Sequence, residues 1–572
     1  MGCNFYMKNV EIAQILNEIA DLLEIKGVQF KPIAYRRAAE TVNSLSKPIE
    51  NLNENELIEL PGIGKSIAKK ILTIDETGSL PYFEDLKKAC PIDYESLLAV
   101  EGVGPKTVKL LYQSLGVKDL DDLESMAREH EIRKLSGMKE KSEEKILENI
   151  KYAKKNIRNL LGYILPIALE LKNNLKLLPD VLEVEIAGSI RRRKETIGDI
   201  DILVITDNPV EVMDAFTHLS NVDRIILQGP SKSTVRLKEN VSCDLRVVPE
   251  KSFGSALMYF TGSKETNVEL RKLAIKNGLK LNEYGLFKGE EWISGVMEET
   301  LFRELDLDYI EPELRENHGE VEAALNGELP TLIGYNEVLG DLQMHSKWSD
   351  GSNSLEEMVT AAQLMGYEYI AITDHSGGLR IANGMDDNHI NLQLKMIEKL
   401  NDEFEGITIF KGLEVNIDSD GKLDVSDEIL KDLDVVIASI HSGFRQDRGK
   451  LTDRIISAME NEYVNIIAHP TGRKIHQRKA YELDLDKVFE SSIETDTYLE
   501  VNSQPDRLDL KDVYVKKALE AGCKLVINTD SHNRDSLKNI EFGIATARRG
   551  WAGKEDIVNT KPLKEIKKFF KK

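Results

Sequence analysis

Cysteine is scarce: the 572 residues contain four, Cys3, Cys90, Cys243 and Cys523, with no C-x-x-C spacing. The lack of that spacing argues against a zinc ribbon or a disulfide framework, and idle or buried thiols are expected at all four. Long apolar runs are missing as well. No stretch approaches the roughly 20 apolar residues of a membrane span, and MGCNFYMKNVEIAQ at the start has no apolar core followed by a small-residue cleavage site. A cytoplasmic protein without membrane contact is expected. A surplus of cations is the third absence, since the formal net charge is -22. Phosphate-binding proteins normally carry a basic surface, so the chain as a whole does not advertise one. The acidity, however, lies mostly beyond residue 300, and the first half keeps basic clusters at 151–158 (KYAKKNIR) and 191–194 (RRRK). A solvated face is the plain reading of each.

The length calls for three to five domains. Residues 1–160 read as short helices joined by Gly- and Pro-bearing turns, as in EIAQILNEIADLLEI and KSIAKKILTIDETG. From about 180 the period changes to strand-like runs, EVEIAGS, DIDILVIT, DRIILQG and CDLRVV, the pattern of an α+β unit. The polar, acidic stretch 311–340, with two prolines, is expected to be a linker. Beyond it, YEYIAIT, ITIFKGLEV, LDVVIASI, VNIIAHP, TYLEV and CKLVINTD alternate with helical segments, the sequence form of a (β/α) barrel.

Two segments near the N-terminus share one design. LPGIGKSIAKKI and VEGVGPKTVKLL each place G-x-G before a helix that opens with lysine. Glycines there let backbone approach a phosphate, and the N–H groups opening the helix offer donors and a positive dipole. Gly62, Gly64 and Lys65 in the first, and Gly102, Gly104 and Lys106 in the second, are the expected DNA contacts. Two such turns 40 residues apart resemble helix-hairpin-helix motifs, which hold DNA without reading its sequence.

GSIRRRKETIGDIDIL carries the central chemistry. Side chains two apart on a strand face one side, so Asp199 and Asp201 point into one site. Asp244, in SCDLRVV, sits in a second run able to pair beside the first. Three carboxylates on adjacent strands suit two divalent cations about 3.5–4 Å apart, the arrangement for in-line phosphoryl displacement. Gly188 and Ser189 offer an amide and a hydroxyl to triphosphate oxygens, and Arg191 and Arg192 offer forked donors.

With YFTGSKETNVELRKLAIKNGLKLNEYGLF at 259–287 and AYRRAAETV near the start, these motifs resemble the family X DNA polymerases over residues 1 to about 315. The resemblance implies Asp199, Asp201 and Asp244 as ligands of Mg2+ or Mn2+, with Asp244 as base near the primer 3' hydroxyl. It implies Gly188, Ser189, Arg192 and Gly198 around the triphosphate, Tyr259, Phe260 and Gly262 against the deoxyribose, Asn267 at the base and Arg271 on the template side. It also implies a lyase nucleophile at Lys70, with Lys31 and Tyr35 at phosphate-binding positions and Lys65 and Lys69 as cations able to lower an amine pKa. Phe30 and Ser66 depart from that family pattern.

In the second half His345, His375, His441 and His469 close strand-like runs, as does His532 in NTDSH, with His476 more loosely placed. A barrel gathers the C-terminal ends of its strands at one face, where histidines with Asp350, Glu414 and Asp530 can hold ions that activate water. The order from Asp341 to His532 resembles the PHP (polymerase and histidinol phosphatase) domain, implying two or three Mn2+ or Zn2+ ions and a 3'-5' exonuclease, with abasic-site processing as a further activity. One position departs from the pattern: the opening H-x-H is Gln343-Met344-His345, and Gln343 offers only a neutral oxygen.

The expected layout is multidomain: a helical N-terminal DNA-binding domain at 1–82, a second helical subdomain at 83–160, a nucleotidyltransferase palm at 161–250, a thumb at 251–318, a linker at 319–336 and a distorted (β/α) barrel at 337–572. The partners expected are gapped or nicked DNA and dNTPs, with the chain a monomer. Alternative readings are a DNA-bound phosphoesterase, a non-catalytic repair scaffold, or a nucleotidyltransferase for RNA or small molecules.

Overall fold

In the computed structural model residues 9–570 are described, except 27, 29, 45–48, 50–51, 78–79, 84–85, 87–91, 94–95, 98–99, 101, 154–157 and 380–381. Cys3 and Cys90 therefore lie outside the described residues, while Cys243 and Cys523 are buried free thiols. The chain divides into two units, Met1–Ile157 and Arg158–Lys572.

Helical periodicity builds the first unit. Leu16, Ile19 and Leu23 of helix Asn9–Ile25 pack with Ala38 and Val42 of Lys31–Ser44 and with Ile67 and Ile71 of Lys65–Thr77. The same apolar cluster runs on through Val108 and Leu111 to Ile150, so one core serves both glycine hairpins and crosses the expected boundary at 82. Local sequence sets the helix ends. Asn53 caps Glu54–Glu59 by accepting from the N–H groups of Asn55 and Glu56, and Glu56 returns a bond to the Asn53 N–H.

Among the described residues four sheets organise the second unit, the smallest being only the antiparallel pairing of 159–160 with 196–197. Strands β1 (Val181–Ile186), β2 (Asp199–Thr206), β3 (Val222–Leu227), β4 (Lys232–Leu237) and β5 (Ser242–Val247) form a five-stranded sheet in the order β1-β2-β5-β4-β3. Within it only β2 and β5 run parallel, and their register sets Asp201 directly opposite Asp244. A small antiparallel sheet of β6 (Lys280–Asn282), β7 (Gly285–Lys288) and β8 (Glu291–Ser294) follows, with β7 central.

The barrel is β9 (Gly340–Met344), β10 (Tyr369–Ile372), β11 (Thr408–Asn416), β12 (Val435–Ser439), β13 (Val464–Ile467), β14 (Tyr498–Asn502) and β15 (Leu525–Asn528). All pair in parallel and in chain order. The circuit nearly closes, because Met344 bridges Ser531 and the His345 N–H donates to Ser531 O at 2.8 Å. Fully apolar strands such as VVIA at 435–438 are covered on both sides, as parallel strands require.

The expected linker is not one. Residues 320–326 are helical, Glu320 and Ile333 are fully buried, and Leu332 bridges Gly553. Glu313 accepts from Arg548 Nε and from the Tyr335 hydroxyl, both at 2.9 Å, with little of either side chain exposed. The polar composition that reads as a loose tether thus serves buried ion pairs and caps instead. Glu313→Ala leaves the Arg548 charge buried without its closest carboxylate, and should destabilise the second unit by about 3 kcal/mol. A lowered urea midpoint is the expected result; an unchanged midpoint would contradict the role given to this pair.

Candidate active sites

Parallel pairing of β2 and β5 puts Asp199, Asp201 and Asp244 on one face of the sheet. Burial pushes Asp201 up to about 7, with Asp199 and Asp244 adding to the effect. Asp199 is raised for the same reasons, burial first and then Asp244. Among the described residues the three carboxylates do not form one tight ligand cluster. Asp244 is instead engaged by Thr234 Oγ1 at 2.6 Å, Lys232 Nζ at 2.7 Å and Arg246 at 3.4 Å.

A cavity of about 380 Å3 opens in front of Asp199 and Asp201. Gly188, Ser189, Arg192, Tyr259, Phe260, Gly262, Asn267 and Arg271 line it, bringing together most of the residues singled out in this half of the chain. Gly188 has φ +62°, and a Cβ there would lie 2.3 Å from Asp201 Oδ2, so only glycine permits the loop to press on that carboxylate. Asn267 Nδ2 donates to Tyr259 O at 2.7 Å, and Arg271 Nε to Asn267 O at 3.2 Å, so these side chains are ordered by the wall they belong to.

Two arginines depart from their expected places. Arg191, expected at the triphosphate, turns away to form a bidentate pair with buried Glu298 at 2.9 and 2.6 Å, where Arg315 also binds at 2.6 Å. Arg158, expected in a solvated basic cluster, lines the cavity and donates to Thr196 Oγ1 and O at 3.1 and 2.8 Å. Sequence holds no local signal for this, because Arg158 reaches the site through pairing of residues 159–160 with 196–197. Gly198 sits under it, a Cβ there lying 3.0 Å from Arg158 Nη1.

In the first unit Gly62 and Gly102 take φ +79° and +93°, and each G-x-G is closed by a turn bond, Ile63 N–H to Leu60 O and Val103 N–H to Val100 O. Gly64, Lys65 and Lys106 are exposed, and Gly104 caps the helix Pro105–Leu115. Tyr35 is not on the surface: it is 4% exposed, and its hydroxyl accepts from Lys70 Nζ. Lys70 also lies 3.6 Å from the centre of the Tyr82 ring. Burial lowers the Lys70 pKa, and the cation that adds to this is Lys31 rather than Lys65 or Lys69.

At the C-terminal mouth of the barrel, six of its seven strands or the turns after them deliver His345, Asp350, His375, Glu414, His441, His469, Asp530 and His532. Glu414 is the hub. Its Oε1 lies 3.3 and 3.4 Å from His441 and His469, and its Oε2 lies 3.3 and 3.6 Å from His345 and His375. His532 and His375 approach Asp350 at 3.3 and 3.7 Å, and His345 lies 3.1 Å from Asp530. Three groups with metal-ligand spacing result: His345, Asp350, His375 and His532; His375, Glu414 and His441; His345, Glu414 and Asp530. Although carboxylate and imidazole atoms lie 3.1–3.6 Å apart here, buried nitrogens of His345, His375 and His469 and the Glu414 Oε1 are not in hydrogen-bond geometry, an arrangement suited to receiving cations between them. Burial drives His375 down to about 4, whereas in Glu414 the surrounding imidazoles outweigh burial and hold the carboxyl well below its usual range.

Gln343 donates its amide to Glu414 Oε2 at 3.0 Å, so it braces the hub, and its Oε1 has no hydrogen-bond partner. His476 stands apart from the centre and donates to the Arg158 carbonyl at 2.6 Å. β14 contributes a support that sequence reasoning missed, Asn502, whose amide donates to Asp530 Oδ2 at 3.1 Å. Arg507, also missed, lines the mouth and lies 3.6 Å from Asp530.

Comparison with known proteins assigns the parts. A helix-hairpin-helix domain model matches residues 7–80, a SAM-like helix-hairpin-helix tandem residues 94–151, a DNA polymerase beta thumb residues 256–316 and a PHP domain residues 341–504. The DNA polymerase/3'-5' exonuclease PolX of Bacillus subtilis is 38% identical over 99% of this chain and 100% of its own. DNA polymerase lambda of Rattus norvegicus is 26% identical over 49% of each chain. A probable phosphatase of Thermoanaerobacter is 30% identical over 38% of this chain and 88% of its own. With a relative matched from end to end, and with helix-hairpin-helix, thumb and PHP domains following one another along it, the chain belongs to the PolX family of family X DNA polymerases.

Proposed function

We propose that the chain is a template-directed DNA polymerase that fills short gaps during repair, and that its barrel removes nucleotides from 3' ends. The observation that carries the first half is the register placing Asp201 opposite Asp244, with Asp199 on the same face of a cavity edged by Arg158, Ser189 and Arg192. An all-oxygen donor set fits hard cations, and Mg2+ or Mn2+ held by the three aspartates would neutralise charge on the phosphate oxygens. The side chains supply the rest. Arg158, Arg192 and Ser189 orient the triphosphate, and Asp244 accepts the proton of the primer 3' hydroxyl as its oxygen attacks the α-phosphorus and pyrophosphate leaves. Tyr259 and Phe260, packed edge to face at 5.1 Å, form the wall against the sugar. Gapped DNA is the substrate that fits two hairpins able to hold backbone without reading bases.

At the barrel mouth, mixed imidazole and carboxylate donors fit two or three Mn2+ or Zn2+ ions, which would supply an activated water. Glu414 holds its four imidazoles in place, Asn502 and Gln343 orient the carboxylates, and Arg507 offers charge to a phosphodiester.

A labelled one-nucleotide-gapped duplex with Mg2+ or Mn2+, with and without dNTPs, tests both halves. Extension should vanish only in Asp199→Ala and 3' shortening only in His441→Ala, each by at least about a hundredfold. No extension by the intact chain would leave a DNA-bound phosphoesterase; loss of both activities, a scaffold. Gly188→Ala should cut extension about as deeply as loss of one transition-state contact, roughly a hundredfold, while circular dichroism and 3' shortening stay unchanged.

A third activity is favoured by the surroundings of Lys70. Its amine is half-buried, next to the ring of Tyr82 and the hydroxyl of Tyr35, and held below the usual lysine range by burial and Lys31. Such an amine can form a Schiff base with an abasic sugar, displacing water, so a 5'-deoxyribose phosphate lyase is proposed. Borohydride should trap the intact chain, but not Lys70→Ala, on incised abasic DNA. Only the neutral amine attacks, so the trapped fraction should rise with pH through a midpoint below that of an ordinary lysine; a midpoint in the ordinary range would contradict the assignment.

A further inference from the structure

Two of the arginines that edge the nucleotide cavity, Arg158 and Arg192, are held from behind by the barrel. Arg158 begins the second unit, and on one side its backbone is fixed by pairing of the next two residues with 196–197. On the other side its carbonyl accepts from His476 Nε2 at 2.6 Å. The loop carrying His476 is itself pinned to the barrel: Ile475 N–H donates to Asp506 O at 2.6 Å, and Lys474 pairs with Asp506 at 3.3 Å.

Arg192 is gripped in the same manner. Its carbonyl accepts from Arg549 Nη1 at 2.8 Å. Its Nε donates to Glu316 at 2.8 Å, and Glu316 also binds Arg549 at 3.1 Å and Lys194 at 3.0 Å. Arg549 is nearly fully buried and is locked by Asp512 at 2.9 and 2.6 Å. Nearby, Arg473 pairs with Glu195 at 2.8 Å. A second cavity of about 550 Å3 runs behind the nucleotide cavity, with Arg158 and Arg192 lining both and Glu316, Lys511, Asp512 and Arg549 closing the far side.

We propose that His476 and Arg549 of the barrel are positioning residues for nucleotidyl transfer: by holding the backbone carbonyls of Arg158 and Arg192 they aim both guanidinium groups at the triphosphate. The proposal rests on the polymerase reading above. Neither residue touches the nucleotide cavity, and neither belongs to the histidine centre. Their effect falls on nucleotide binding, because the phosphate donors lose their placement while Asp199 and Asp201 keep theirs. Arg158 Nε and Nη2 are spent on Thr196, and Arg192 Nε and Nη1 on Glu316 and Thr261 O, so a displacement of about 1 Å would misalign the one nitrogen each keeps for a phosphate oxygen.

The test is single-nucleotide insertion on a gapped duplex by the full chain, with 3' shortening and thermal unfolding measured on the same samples. His476→Ala should raise the KM for dNTP about tenfold, the worth of one hydrogen bond to a charged partner's anchor. Its kcat should stay within about twofold, with exonuclease rate and Tm unchanged. His476→Gln, whose amide can donate to the same carbonyl, should recover most of the lost affinity. Arg549→Lys should raise the same KM, since one ammonium cannot serve Asp512, Glu316 and the Arg192 carbonyl together. An unaltered KM in both His476→Ala and Arg549→Lys, in a chain that extends primers, overturns the proposal and leaves the polymerase reading standing. A parallel fall of insertion and exonuclease in His476→Ala also overturns it, since that marks a general folding defect. Failure of the intact chain to extend is the distinct outcome that removes the polymerase reading itself.

Discussion

One carboxylate, Glu316, answers three cations: Arg192 and Lys194 from the loop after β1 and Arg549 from the last long helix of the barrel. Arginine 549 is in turn answered by Asp512, whose pKa its charge, against the pull of burial, holds down at about 2. Groups this buried cost several kcal/mol each to desolvate, and apolar residues of the same shape would do as well for stability alone. What the network provides is placement. Three stretches far apart in sequence meet with fixed geometry, and a neighbouring network of Arg191, Glu298 and Arg315 does the same one layer deeper.

Apolar packing continues what the ions begin. Leu508, in the connection after β14, and Phe542, in the helix Ile540–Arg549, sit in the core of the five-stranded sheet beside Leu161 and Ile164. The helix Leu161–Lys176 comes so close to the barrel that a Cβ on Gly162 would lie 2.6 Å from Pro505. Residues 158–572 accordingly behave as one unit, although their parts resemble separate families.

Legibility from sequence followed physical range. Asp199 and Asp201 were readable because alternation along a strand is local, and Asp244 because its own strand is marked by the same period. The histidine centre was readable because parallel strands in chain order bring every strand end to one mouth. Arg158 was opaque, since only long-range pairing carries it to the cavity, and Arg191 was misplaced because nothing local distinguishes it from Arg192. The segment 311–340 misled for a related reason. Polar composition has the same appearance whether the charges face water or one another, and partners such as Arg548 and Gly553 lie more than 200 residues away. In sequence Gln343 reads only as a ligand position with a neutral oxygen, and its bond to Glu414 is visible only in three dimensions.

The two centres differ in the atoms they present: oxygen alone beside β2 and β5, and imidazole nitrogen mixed with oxygen at the barrel mouth. Donor sets of these kinds rank cations differently, the first favouring hard ions and the second favouring softer ones. In the proposed reading Mn2+ can serve both centres, whereas Mg2+ suits the first better and Zn2+ the second. The balance of nucleotides added to nucleotides removed would then shift with the mixture of divalent cations at hand, while the protein itself stays the same.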